Sequence, residues 1–223
     1  VPLRHELKFF ISPLEYQVLS RALDRVLWRD RNGDENNEYH IRSLYFDTRF
    51  NDALLDKING VKDRDKFRIR IYNFSDKLIR MECKTKVGQL IPKLLAEQLI
   101  AADPTGLERT RSGLLRDVYR EMAINGLHPV VIVDYVREAY VHPAEEVRIT
   151  FDKQLHTGLG SIDLFNPYVP TLPTFDHDEM ILEVKFNRVM PPYIRDLLCT
   201  CVKSAQNSAI SKYVWCRRFE NFE

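Results

Sequence analysis

An α+β fold is what the sequence predicts: an antiparallel sheet rolled into a barrel, its charged face inward and amphipathic helices packed outside. Three observations lead there. The stretch at 66–86, KFRIRIYNFSDKLIRMECKTK, alternates at period two, so Lys66, Arg68 and Arg70 share one face while Phe67, Ile69 and Ile71 take the other. After a turn at 73–77, Glu82, Lys84 and Lys86 again oppose Met81, Cys83 and Thr85. Other stretches along the chain divide in the same way, and between them lie segments with a single apolar stripe at helical spacing. An open sheet with one wet face accounts for the alternation equally well and stands as the alternative.

Taken in order, residues 3–11 form a strand with His5, Leu7, Phe9 and Ile11 opposite Arg4, Glu6, Lys8 and Phe10. Ser12, Pro13 and Glu15 read as N-cap, first helical residue and capping-box partner of a helix over 13–27. Its stripe is Leu14, Val18, Leu19, Leu23, Val26 and Leu27. A polar loop, DRNGDENN, precedes a strand at 40–47, a short helix at 50–58 and an Asn59-Gly60 turn. Beyond the hairpin, 87–93 is extended or turn, and helices follow at 94–102 and 111–125, the latter stopped near Gly126.

Strands resume at 128–140, where Tyr135 and Arg137 share a face, and at 146–155, where Val147, Ile149 and Phe151 oppose Arg148, Thr150 and Asp152. Residues 157–178, with Pro167, Pro170 and Pro173, read as a surface excursion holding at most a short strand. A last strand at 179–186 sets Glu183 and Lys185 against Leu182, Val184 and Phe186, and a helix at 192–201 leads to a terminal segment. Neither an internal repeat nor a boundary interrupts the 223 residues, so one domain over 1–223 is expected.

Composition narrows the function classes. Lys plus Arg (33) nearly equals Asp plus Glu (32), which excludes nucleic-acid binding driven by bulk charge. Cys83, Cys199, Cys201 and Cys216 lack paired metal spacing and sit in apolar patterns, which favours buried free thiols, a reducing compartment and the cytoplasm. No apolar run approaches the ~20 residues of a membrane span, so no direct membrane insertion is expected. No Walker-type loop occurs, and Ser/His/Asp or Cys/His catalysis has no local support. The run Asp176, His177, Asp178 and Glu179 invites a metal assignment but reads as loop.

What remains is local charge. Arg4, Lys8, Arg68, Arg70, Lys84, Lys86, Arg137, Arg148 and Lys185 on the strand faces meet only Glu6, Glu82, Asp152 and Glu183, although the whole chain carries +1. Cations gathered on adjacent strands repel unless an anion lies among them, so the ligand is a compact polyanion. Arginine forks suit phosphate oxygens, and the few carboxylates suit a divalent cation bridging phosphates.

The series RHELKFFI, SLYFDT, KFRIRIY, ECKTK, VDYVREAY, VRITFD, ILEVK and SKY, in this order from Arg4 to Tyr213, resembles the VTC domain. That family is the polyphosphate polymerase domain of the vacuolar transporter chaperone complex and its bacterial relatives, within the CYTH-like triphosphate tunnel metalloenzyme superfamily. The resemblance implies a tunnel lined by Lys8, Arg68, Arg70, Lys84, Lys93, Arg137 and Arg148, with Lys212 and Ser211 near the terminal phosphates. Tyr135 matches a lining aromatic, Lys185 and Glu82 stand behind the lining, and Glu183, with Glu6, would hold Mn²⁺ or Mg²⁺. It implies ATP and inorganic polyphosphate as ligands, no nucleic acid, and leaves room for a membrane-protein partner. The first strand departs from the ExExK of the related tunnel hydrolases, because Arg4 stands at the first Glu position. One carboxylate fewer weakens a water-activating site. An ATP-dependent polyphosphate polymerase is the expectation, with a metal-dependent tri- or polyphosphatase and a non-catalytic polyphosphate-binding module as alternatives.

Overall fold

The computed structural model describes residues 4–61, 65–142, 146–175, 179–206 and 209–220. In chain order the elements are β1 (Arg4–Ile11), α1 (Pro13–Leu23), β2 (Trp28–Arg29), β3 (Glu38–Asp47), α2 (Asp52–Ile58), β4 (Phe67–Tyr72), β5 (Ser75–Cys83), β6 (Gln89–Leu90) and α3 (Lys93–Ile100). There follow α4 (Gly113–Asn125), β7 (His128–His142), β8 (Val147–Thr157), β9 (Leu172–Pro173), β10 (Met180–Asn187), α5 (Pro192–Cys201) and α6 (Lys212–Phe219). The expected alternation of strands and helices is therefore present, with antiparallel pairing at every register described.

The chain divides into two compact units. The first comprises Val1–His40, Tyr135–Leu155 and Phe175–Ile210. Here β1 pairs with β10, β10 with β8, and β2 with the second half of β7. The apolar face of this ladder, including Ile149, Phe151, Leu182 and Val184, packs with Leu19, Leu23, Ile194 and Leu198 from α1 and α5 into one core. α1 begins as its residues dictate: Ser12 Oγ accepts from Glu15 N, the Glu15 carboxylate accepts from Ser12 N at 2.8 Å, and Pro13 loses no hydrogen bond at a helix start. It stops at Leu23 rather than 27, and its buried stripe is Leu19, Ser20 and Leu23, with Leu14 and Val18 exposed. The β-pairing of Trp28 and Arg29 with β7 draws the chain out of the helix, and a two-residue strand carries no periodicity to read.

The second unit comprises Ile41–Asp134, His156–Thr174 and Ser211–Glu223. β3, β4, β5 and β6 pair in that order, and β9 pairs with the end of β8. Ile69, Ile71, Ile79 and Met81 on the apolar face pack with Ala96 and Leu99 of α3 and with Leu115, Val118 and Met122 of α4. The β4–β5 hairpin turns on Asn73 and Phe74, both at positive φ (49° and 55°), the backbone a two-residue hairpin requires. α4 is capped by Ser112 and ends on Gly126 at φ 64°, a left-handed position that glycine adopts without strain.

The expected α+β class, an antiparallel sheet with helices packed on its apolar face, is borne out, but the sheet is not hydrogen-bonded into a closed barrel among the described residues. Among the described residues β1 ends the first ladder, its outer side carrying only the bridge from Phe9 to Gln206, and β6 ends the second. β6 has two residues because Pro92, which has no N–H to donate, caps α3 and takes the chain out of the sheet. The buried-thiol expectation holds for Cys83 and Cys216 but not for Cys199, which is exposed. Among the described residues no helix is long and apolar enough to cross a membrane.

Candidate phosphate-binding site

The register of the second unit places its cations. Arg68 stands opposite Tyr45 on β3 and Glu82 on β5, and Arg70 opposite Ser43 and Arg80. Arg68 Nε donates to Glu82 Oε2 at 2.7 Å and its Nη1 to the Tyr45 hydroxyl at 2.7 Å, while the guanidinium lies 5.6 Å from the Tyr45 ring centre. Arg70 Nε donates to Ser43 Oγ at 3.1 Å, and its Nη1 is 3.5 Å from the same Glu82 oxygen. Burial raises the Glu82 carboxyl, but the charges of Arg68 and Arg70 outweigh it and hold the group below the ordinary carboxylate value. A Cβ at Gly88 would come within 3.0 Å of Glu82 Cγ and 3.1 Å of the Met81 carbonyl, so a glycine lets the chain pass behind the carboxylate. Lys84 and Arg80 extend the cationic face outward, exposed and, among the described residues, without a side-chain hydrogen bond or ion pair.

Two sequence segments far apart meet in this unit. Asp47 is fully buried, and its carboxylate accepts from the backbone N–H groups of Thr48, Ala53 and Leu54, which holds the start of α2. It also accepts from the Tyr213 hydroxyl, and the Tyr213 ring stacks on Tyr45 at 5.1 Å. Burial and then the neighbouring Asp47 push the Tyr213 phenol far above its usual range. Tyr213 thereby fixes Ser211, whose hydroxyl caps α6, and Lys212, its first residue. Lys66 Nζ lies 3.5 Å from Ser211 Oγ and 4.7 Å from the centre of the Tyr213 ring. Lys93 instead opens α3, half-exposed, and pairs with Asp76 at 2.9 Å, while Lys86 pairs with Asp117 on α4.

The first unit carries its own charged face. Lys8, Glu183 and Thr150 form one cross-strand row, and Glu6, Lys185 and Arg148 the next. Glu183 is 6% exposed and paired with Lys185, and Glu6 lies 3.6 Å from Lys8 and 3.4 Å from Lys185. Arg137 makes a bidentate pair with buried Asp152 at 2.6 and 2.8 Å and lies 5.3 Å from the Tyr135 ring centre. Burial alone would lower the Arg137 guanidinium, but Asp152 reverses this and holds it firmly charged. Arg148 Nη2 donates to Asp30 at 2.5 Å and to the Tyr39 hydroxyl at 3.0 Å.

A divalent cation suits this donor set. The Thr150 hydroxyl, buried beside Glu183, has no hydrogen-bond partner among the described residues. Glu183, with Glu6 further along the face, supplies hard carboxylate oxygens. Among the described residues no three His, Cys, Asp or Glu side chains converge as a metal cage. One or two carboxylates, completed by substrate phosphates and water, is the manner in which Mg²⁺-like ions are held at phosphate sites.

The structure thus sets Arg68, Arg70, Glu82 and Lys84 on one face and Ser211 and Lys212 on a braced helix start. Lys8, Glu6, Tyr135, Arg137, Arg148, Glu183 and Lys185 lie on the strands of the other unit. Sequence reading missed Tyr45, Ser43 and Arg80, whose neighbours only the register reveals. It also missed the buried network on the opposite face of β7 and β8, where Lys153 Nζ contacts Glu138, Glu38 and Tyr16 at 2.6–2.7 Å. Of the Asp176 to Glu179 run, Asp176, His177 and Asp178 lie outside the described residues.

No curated protein matches the chain in sequence. Among solved structures it is similar to a Hippeastrum protein described as an adenylyl cyclase with a dominant triphosphatase activity, at 18% identity and a TM-score of 0.58, with 98% of this chain and 96% of that one covered. A Bacillus halodurans protein described as an adenylate cyclase is similar at 15% identity and a TM-score of 0.50, with 92% of each chain covered. These likenesses show that the chain shares the fold of those proteins. The VTC domain family matches residues 3–219, nearly the whole length, and the chain belongs to that family.

Proposed function

We propose that this VTC domain is an ATP-dependent polyphosphate polymerase. The observation that carries the reading is the Arg68–Glu82–Arg70 arrangement, two guanidinium groups aimed by one carboxylate on a strand face that adds Lys84 and Arg80. Glu82 holds the Nε side of Arg68, which orients its fork toward a phosphate group without neutralising the whole face. Within the second unit Lys84 and Lys212 are assigned to the remaining phosphate oxygens, and in the first unit Lys8, Arg137, Arg148 and Lys185 are assigned to phosphate on that unit's own charged face. Lys93 is assigned to the outer end of this set and Tyr135 to bracing Arg137.

In the reaction a terminal oxygen of the polyphosphate acceptor forms the new bond to the γ-phosphorus of ATP. The bond from that phosphorus to the β–γ bridging oxygen breaks, its electron pair leaves on ADP, and the chain is one unit longer. The acceptor oxygen is already anionic, so no side-chain nucleophile or base is needed, and the arginines and lysines align the groups and offset the charge of the transition state. A Mn²⁺ or Mg²⁺ held by Glu183 and Glu6 would add charge neutralisation at the phosphates when bound.

Hydrolysis is the second reading, favoured by the triphosphatase activity described for the Hippeastrum protein and opposed by Arg4 in place of a first-strand carboxylate. Incubation with ATP and Mn²⁺ followed by product analysis separates the two: long-chain polyphosphate with ADP supports the polymerase, and free phosphate alone overturns it. Arg68→Ala and Arg70→Ala should each cost about 100-fold or more in chain synthesis with unchanged circular dichroism, the scale of losing a transition-state charge donor. Normal synthesis by both variants would rule the assignment out.

A further inference from the structure

Beyond the arginine pair, the same face of the second unit changes character. The row that contains Arg70 continues through Arg80 on β5 to Leu90 on β6, directly opposite one another in register. Leu78 lies two residues before Arg80 on the same side of β5. Leu78 on β5 is 44% exposed and Leu90 61%, the latter on the end strand β6, where charged side chains are the usual protection against pairing with another chain. Arg80 lies between them, its side chain exposed and without a hydrogen bond or ion pair among the described residues, while Glu82 is taken by Arg68 and Arg70.

Two strand spacings separate Arg70 from Leu90, about 10 Å. A nucleotide whose terminal phosphates lie at Arg68 and Arg70 has its α-phosphate and ribose to cover that interval, and its base then reaches the leucines. A base needs an apolar platform for its face and gains from a guanidinium stacked on its π-system. We propose that Leu78, Arg80 and Leu90 seat the base of the nucleoside triphosphate donor and favour a purine, which offers the larger stacking area. The proposal rests on the assignment of phosphates to Arg68 and Arg70 and adds to it a reason for the enzyme to use a nucleotide rather than a base-free polyphosphate as donor.

The test is calorimetric titration of the full chain and of a Leu78→Asn, Leu90→Asn variant with ATP, CTP and inorganic tripolyphosphate, each with Mg²⁺. Both positions are exposed, so the variant keeps its core. The expected result is a loss of about fivefold to tenfold in ATP affinity, a smaller loss for CTP and tripolyphosphate binding within about twofold of the original protein. Equal affinity of the variant and the original protein for ATP would overturn the base seat while leaving the phosphate assignment intact. Failure of the original protein to bind either ATP or tripolyphosphate would overturn both.

Discussion

Glu82 touches two guanidinium groups with one oxygen, and that contact governs what Arg68 and Arg70 can present to a ligand. Replacing it by glutamine keeps the shape and removes the charge. Because the folded carboxyl titrates below its unfolded value, it adds stability above the ordinary carboxylate range and loses that contribution as pH falls through the folded value. Glu82→Gln should therefore lower stability by about 1–3 kcal/mol at neutral pH, the scale of a hydrogen bond to a charged group. The gap to the original protein should close as the pH falls below the ordinary carboxylate range, read as Tm against pH. A gap that stays constant over this range would show that the carboxylate charge is not what holds the arginines. At this scale the sequence was informative where alternation singles out a residue: Arg68 and Arg70 share a face by parity, and Glu82 lies on the charged side of its own strand. Tyr45 and Ser43 were not legible, since a tyrosine and a serine in a buried strand carry no charge pattern and owe their role to standing opposite those arginines.

Elements were legible in proportion to their length and periodicity. α5 covers the residues expected for it, and α4 starts at Gly113, just after Ser112, whose N-cap side chain accepts from the backbone N–H of Leu115. α1 was misread at its end because Val26 and Leu27 keep helical spacing, and only pairing of β2 with β7 interrupts it. The clamp between α2 and α6 could not be read at all, since Asp47 and Tyr213, like Asn51 and Arg217, lie in separate segments and meet through side-chain hydrogen bonds. Tyr213→Phe keeps the stack on Tyr45 and removes the bond to Asp47. It should cost about 1–2 kcal/mol in chemical denaturation, and chain synthesis at 25 °C should fall further than this stability loss explains, because Ser211 and Lys212 lose their brace. Unaltered synthesis in a measurably destabilised variant would make the clamp purely structural.

For the whole molecule, each unit has its own apolar core and its own charged face, and the net charge of +1 conceals the cations gathered on those faces. Removing divalent ions with a chelator should stop product formation, which returns on adding Mn²⁺. Tm without ligand should stay unchanged, since the described cores are built from apolar side chains. A chelated protein that still lengthens polyphosphate would remove Glu183 and Glu6 from the proposed reaction. By itself the sequence determined the alternation of strands and helices, the sidedness of each strand and the family, because period-two and helical patterns are local consequences of where side chains must point. Only the tertiary structure decided which strands are neighbours, that among the described residues the ladders end at β1 and β6, and which cation each carboxylate holds. Those depend on register and on contacts between residues far apart in the chain, such as Lys8 with Glu183 and Asp47 with Tyr213, for which a linear pattern carries no signal.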